Sequence, residues 1–192
     1  MSLTRILAII FLLLAIGGSL VGYNQANPNA FSLGDYLVTL YAQLSTELIG
    51  IAVTVLVIDY LNEKREERRL RWQLIHELGS RNNDIADRAA YELRERGWLM
   101  DGSLQNADLH NADLSHANLA NANLCHANLH GATLSHAELQ NANLSETDLK
   151  GVNFTGANLQ KADLRHSNIT AEQLAQAYSL EGALLPDGVA VE

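Results

Sequence analysis

NADLHNADLSHANLANANLCHANLH, residues 106–130, says nearly the same five letters over and over. Aligned on its large apolar residue, the phrase extends both ways: Leu104, Leu109, Leu114, Leu119, Leu124, Leu129, Leu134, Leu139, Leu144, Leu149, Phe154, Leu159, Leu164 and Ile169 give fourteen units at a strict spacing of five. Two positions before each stands a small residue, Ala in ten units and otherwise Gly102, Thr147, Val152 or Ser167. Between the two sits Asn or Asp in eleven units. A period of five suits neither an amphipathic helix nor an ordinary strand. One large and one small apolar residue at constant phase need a path that turns inward identically each time. Four right-angle turns close a square coil of twenty residues, with Leu and Ala filling its inside.

The phrase A-[DN]-L-x-x, as in NADLHNADLSHANL, resembles the pentapeptide-repeat family from residue 102 to about residue 171. The resemblance implies a right-handed quadrilateral β-helix. It implies no single activity, although some members of that family protect DNA gyrase by imitating the charge and shape of DNA. Four units per coil give a solenoid of about 3.5 coils, about 17 Å tall at the usual inter-strand spacing. Open ends expose Leu and unpaired backbone, so both need lids. Trp98, Leu99 and Met100, with the helix before them, are expected to close the near end, and Leu174, Tyr178 and Leu180 the far one. The tail TAEQLAQAYSLEGALLPDG, residues 170–188, resembles the helix and closing strand that often end such proteins. Thr170 and Gln173 fit a capping box there, and Ala183 with Leu185 resumes the small-x-large pattern.

Outward from the repeat the chain changes material. Of the 192 residues, the first 58 hold one basic residue and two acids, residues 59–100 nine of each, and residues 101–192 three basic against eleven acidic, so all but one of the net −9 charges belong to the repeat half. Cys125 is the only cysteine, which excludes an intrachain disulfide and suits a reducing compartment. Residues 6–21, ILAIIFLLLAIGGSLV, are uncharged, and residues 3–23 reach about the length that spans a bilayer. A secretory signal has the same look. A second apolar segment, residues 36–61, and the lack of an A-x-A site favour a retained anchor. NQANPNAFSLGD joins the two, and NEKREERRLRW follows the second. By the positive-inside rule Arg5 and the basic residues of 64–71 stay in the cytoplasm.

The expected organisation is therefore a transmembrane helical hairpin over residues 1–61, with helices at about 3–23 and 37–60, a cytoplasmic helical neck over 62–98, the β-helix over 99–171, and a C-terminal cap helix and tail over 172–192. The protein is expected to be multi-pass in the cytoplasmic membrane with both termini in the cytoplasm. The neck reads as two helices. The first draws apolar contacts from Leu70, Trp72, Leu74, Ile75 and Leu78. After Gly79, Ser80 is the expected N-cap of a second, with an apolar stripe of Ile85, Ala86, Ala89, Ala90 and Leu93 ending at Gly97.

Three sets of residues invite a functional reading. In the second apolar helix Thr39, Gln43, Glu47, Gly50 and Thr54 share one face. Glu47 is costly in lipid unless paired or turned to another helix. Gly18 and Gly22 offer a close-approach surface in the first. Twenty residues make one coil, so His110 lies under His130 and then Lys150, His116 under His136 and then Gly156, and Asn106, His126, Glu146 and His166 form a third column. The plain reading is a solvated polar ladder. The competing ones are metal capture between imidazoles and a pH-sensitive surface, although two ligands per column are too few for a closed zinc site. Asp108, Asn128, Asp148 and Asn168 alternate charged with neutral, and with Asp113, Glu138 and Asp163 they are expected to form an acidic face.

These features point to a non-enzymatic interaction module or scaffold, anchored in the membrane as an accessory subunit of a membrane complex. Its expected partners are another membrane protein through the hairpin, a cytoplasmic protein on the β-helix, or both. No cofactor and no nucleic acid is expected. The second class of function is DNA mimicry aimed at a topoisomerase, which the short stack and the tether disfavour. The sequence offers no Gly-rich phosphate loop, no H-E-x-x-H and no nucleophile with a base, since Cys125 and His126 point in different outward directions.

Overall fold

A computed structural model of the chain describes residue 6, residues 8–14 and residues 33–192. Two compact units are present, Met1–Glu67 and Arg68–Glu192. Of the first apolar segment, the described residues 6 and 8–14 are helical. Gly18 and Gly22 lie outside the described residues, as do the side chains of Thr39 and Gln43.

Helix α1, Leu33–Leu78, is a single run of 46 residues. Its part Ser45–Leu78 contains a stretch long and apolar enough to cross a membrane, and it is the one such helix among the described residues. Ile51, Val53, Val57, Ile58, Tyr60 and Leu61 are all exposed along it. The expected separate neck helix beginning at residue 62 does not exist, because α1 continues through that point without a break. The physical reason is local: residues 61–78 hold no Gly or Pro and are rich in Leu, Glu, Lys, Arg and Gln, which lose little freedom in a helix. Gly79 ends it.

Helix α2, Asn83–Glu95, is capped by Asn82, whose side chain accepts from the Asp84 N–H, and not by Ser80. Ser80 serves the turn instead: its Oγ accepts from the Asn82 N–H at 3.1 Å. The buried stripe of α2 is Ala86, Ala89, Ala90 and Leu93. Ile85 falls on its flank and is exposed, as is Trp72 in α1, so neither supplies the core contact expected of it.

From residue 104 onward every unit is built alike. The Ala N–H donates back to the C=O of the Leu three residues earlier, as Ala107 does to Leu104 at 3.1 Å and Ala122 to Leu119 at 3.0 Å. The residue just before that Ala has positive φ at all thirteen corners from Asn106 to His166: ten non-glycine residues at +54° to +62°, and Gly131, Gly151 and Gly156 at +68° to +72°. This is the signature of a type II turn, whose third residue must be left-handed. Each coil joins the next through single parallel bridges in four columns: Asp108 to Asn128 to Asp148, Asp113 to Thr133 to Asn153, Asn118 to Glu138 to Asn158, and Asn123 to Asn143 to Asp163. Each bridge has a pair of hydrogen bonds, for example Leu109 N–H to Asn128 C=O at 2.8 Å and Asn128 N–H to Ala107 C=O at 2.9 Å. Extended strands are absent among the described residues. Bridges one residue long satisfy the backbone between successive corners.

Inside, the Leu column and Phe154 are fully buried and the Ala column nearly so. Leu74 and Leu78 of α1, the α2 stripe, Trp98 and Leu99 join the same core and close the near end. Polar groups close the edge there too. Ser80 C=O accepts from Asp113 N–H, Leu99 C=O accepts from Asn123 N–H, and the Asn83 amide donates to the carbonyls of Asp113 and Ser115 at 3.2 and 2.8 Å. Trp98 lies beneath two cations, the Arg71 guanidinium 4.5 Å and that of Arg96 5.2 Å from its ring centre. Met100 takes no part in this lid and is exposed.

At the far end the capping box forms, but α3 is one turn long, Ala171–Leu174. The buried Gln173 amide also donates to the carbonyls of Leu149 and Val152 at 2.7 and 2.9 Å. Leu174, Ala177 and Leu180 pack on the core, whereas Tyr178 is exposed. The chain then coils again, with bridges from Asn158 to Ser179 and from Asp163 to Leu184. These are twenty-one residues apart where the others are twenty, so α3 absorbs one extra residue. A final antiparallel bridge from Leu184 to Ala190 folds the tail back on itself.

Candidate interaction surface

With the interior filled, the variable side chains lie outside, and the corner geometry explains their identity. A left-handed residue is disfavoured for L-amino acids except Gly and, to a smaller degree, Asn, Asp and His. Twelve corner positions between residues 106 and 166, all but Lys161, are Asn, His, Gly or Glu, with Glu146 the one unfavoured residue among them. His116, His126, His136 and His166 are corner residues of this kind. The sequence carried this signal, since Asn, Gly and His alternate at one position, two after the Leu.

His116 and His136 stack as expected, with ring centres 5.2 Å apart and planes 10° from parallel. Gly156 completes the column, and a Cβ there would meet His136 Nδ1 at 2.5 Å. In the third column His126 Nδ1 lies 3.4 Å from the Glu146 carboxylate, with His166 at the next corner. His110 Nδ1 donates to Asp108 Oδ1 at 2.9 Å. The His130 backbone N–H donates to Asn128 Oδ1. Among the described residues no three His, Cys, Asp or Glu side chains are placed to hold a metal ion.

The acids do not form one face. Asp108 and Asp148 share a bridge column, while Asp113, Glu138 and Asp163 each belong to a different one. Residue numbers 108 and 148 differ by two coils of twenty; 113, 138 and 163 fall on the other three sides. Each acid is also held locally. Asp108 takes the Asn128 amide at 3.0 Å, and Asp148 takes that of Asn168 at 2.7 Å. Asp113 accepts from Ser115 Oγ at 2.6 Å, and Glu138 accepts from Gln140. Asp163 makes a forked pair with Arg165 at 2.8 and 2.6 Å. These contacts hold three carboxyls below their ordinary range: Asp108 through His110 first and Asn128 among the lesser causes, Asp148 through Asn168 and the Lys150 N–H, and Asp163 through Arg165.

In α1, Glu47, Gly50 and Thr54 are exposed and line one shallow groove with Ile51 and Val55. Thr54 Oγ1 donates to the Gly50 C=O at 2.8 Å, and a Cβ on Gly50 would meet nothing. A second groove, which the sequence did not announce, lies between the end of α1 and the first coil. Trp72, Ile75, His76, Gln105, Asn106 and Asp108 are among its walls.

Residues 103–141 and 134–170 match the family described as pentapeptide repeats, in eight copies. No curated protein gives a significant match. Among solved structures, a pentapeptide repeat protein from Nostoc PCC 7120 is 35% identical over 50% of this chain and 72% of its own, with a TM-score of 0.36. Rfr23 from the cyanobacterium Cyanothece 51142 is 44% identical over 38% of this chain and 45% of its own, with a TM-score of 0.31. HetL from Nostoc, a pentapeptide repeat protein involved in heterocyst differentiation regulation, is 26% identical over 46% of this chain and 61% of its own, with a TM-score of 0.25. The chain thus spans well under two thirds of the second and somewhat under two thirds of the third. Repeat phrase, corner geometry and sequence identity agree: this chain belongs to the pentapeptide-repeat family, whose members fold as right-handed β-helices.

Proposed function

We propose that the protein is a non-enzymatic interaction module, anchored in a membrane through α1 and the apolar segment before it, with the repeat half in the cytoplasm. One contrast carries this reading. The repeat half turns its apolar side chains inward and closes both ends, while the α1 segment after Ser45 turns Ile, Val and Leu outward. Exposed apolar surface of that extent is unfavourable in water and natural in lipid. The basic residues that follow the span favour the cytoplasmic side. Glu47, Gly50 and Thr54 are the residues we assign to packing against another helix, and Gly18 with Gly22, outside the described residues, are assigned the same role in the first segment on their spacing alone. Such a tether makes the protein an accessory subunit of a membrane complex, and the four outward columns are what it presents. DNA mimicry is the weaker reading, because the acids are divided among four columns and tied to neighbours.

Purification of the tagged chain from its native membrane in mild detergent, with mass spectrometry of what accompanies it, tests the proposal. A reproducible membrane partner supports it. A chain that comes down alone and, when soluble, inhibits gyrase supercoiling reverses the preference.

A further inference from the structure

The groove between the end of α1 and the first coil holds an indole outside the core and a carboxylate with one oxygen left open. The first is Trp72. Its relative exposure is 75%, against 6% for Trp98, and one neighbour, the His76 ring, stacks on it at 6.3 Å. Trp98 shows what this protein does with an indole that matters to its lid: two guanidinium groups sit on it. Among the described residues no Lys or Arg stands over Trp72. The second group is the Asp108 carboxylate, 65% exposed. His110 and Asn128 both engage its Oδ1, and no described group donates to Oδ2. Trp72 and Asp108 thus line one groove of about 520 Å³, with Gln105 and Asn106 beside them.

We propose that this groove seats a basic side chain, arginine or lysine, of a protein partner. A cation over an indole gains from the ring quadrupole, and a guanidinium or ammonium donates to the open carboxylate oxygen. Asp108 is the one acid lining the groove, while the net charge of the coil, eleven acids against three basic residues over 101–192, draws a basic segment toward it and repels a phosphate backbone. The aromatic shelf and the aliphatic side of Ile75 accommodate the carbon stem of such a side chain. This deepens the interaction-module reading and rests on it, yet the two fail separately. A pull-down without a partner sinks the module, whereas the titration below addresses the groove alone.

The test uses the full chain in a neutral detergent and an acetylated tetra-arginine peptide as probe, read by calorimetry and tryptophan fluorescence, with tetra-glutamate as the opposite-charge control. The expected result is saturable binding of tetra-arginine alone. Trp72→Leu and Asp108→Asn should each weaken it at least about fivefold, while Glu181→Gln, the same charge change at an exposed site elsewhere, leaves it unchanged. Asp108→Asn places in its column the residue already found at positions 128 and 168, and Trp72 is outside the core, so circular dichroism should match wild type for both. The proposal is overturned by absence of saturable binding, by binding that survives both substitutions, or by a Glu181→Gln effect as large as theirs.

Discussion

Asn141 is an exposed corner residue with φ of +57°, and no side-chain hydrogen bond of its own is seen. By contact counting alone, replacing it should matter little, since surface substitutions usually change stability by within about 0.5 kcal/mol. The corner geometry says otherwise. A left-handed conformation costs an L-residue about 1–2 kcal/mol, and a β-branched side chain escapes none of that. Asn141→Val should therefore destabilise the repeat half by about 1–2 kcal/mol, which for a unit of this size lowers the melting temperature by about 3–10 °C. Asn141→Gly should stay within about 0.5 kcal/mol of wild type, because the relief at positive φ and the entropy lost by Gly oppose each other. Ala120→Val, one position before a corner, is the control at ordinary φ. Thermal and urea unfolding of the full chain in detergent, followed by circular dichroism, give the comparison. Equal effects of Asn141→Val and Ala120→Val would refute the claim that the corners select their residues.

The same reasoning makes Lys161→Asn stabilising, by about 0.5 kcal/mol on the same unfolding assay, since Lys161 also sits at φ +57°. Gln173→Ala removes one side of the capping box and takes the donor from the Val152 carbonyl, while the Leu149 carbonyl keeps the Val152 N–H, and the urea midpoint should report a loss of about 2–3 kcal/mol. Asp163 has its carboxyl pKa lowered in the folded state by Arg165. Its pairing therefore contributes stability above the ordinary carboxylate pKa of about 3.9, and that contribution is lost as pH falls through the lower folded value. Asp163→Asn should cost stability at pH 6 and progressively less below pH 4, as followed by urea unfolding across that range.

The solenoid was legible because its interior imposes a rule on every fifth residue, and no other fold needs Leu and a small residue at that spacing. The capping box at Thr170 was legible for a similar reason: both of its hydrogen bonds are local. What escaped was set by geometry that a hydrophobic pattern does not encode. The histidine columns were found, yet the reason for His at 116, 126, 136 and 166 is the sign of φ, which shows only when Asn, Gly and His are seen to share one position. The acidic face dissolved because acids five residues apart lie on adjacent sides of a square coil. Helix α1 runs through residue 62 because a change from apolar to charged residues alters the solvent of a helix without ending it. Met100 and Tyr178 stay exposed at the two ends, where Arg71 over Trp98 and Gln173 over two carbonyls close the lids through specific polar contacts that no apolar pattern announces.

A chain held in a membrane and joined to a partner resists extraction and travels in a large particle. The most direct measurement is the particle mass of the detergent-solubilised native protein, taken from membranes washed with carbonate. The chain should stay with the washed membranes and run well above its own 21.0 kDa after allowance for detergent. Release of the chain by carbonate, or a particle containing one copy and nothing else, would sink the membrane-module reading.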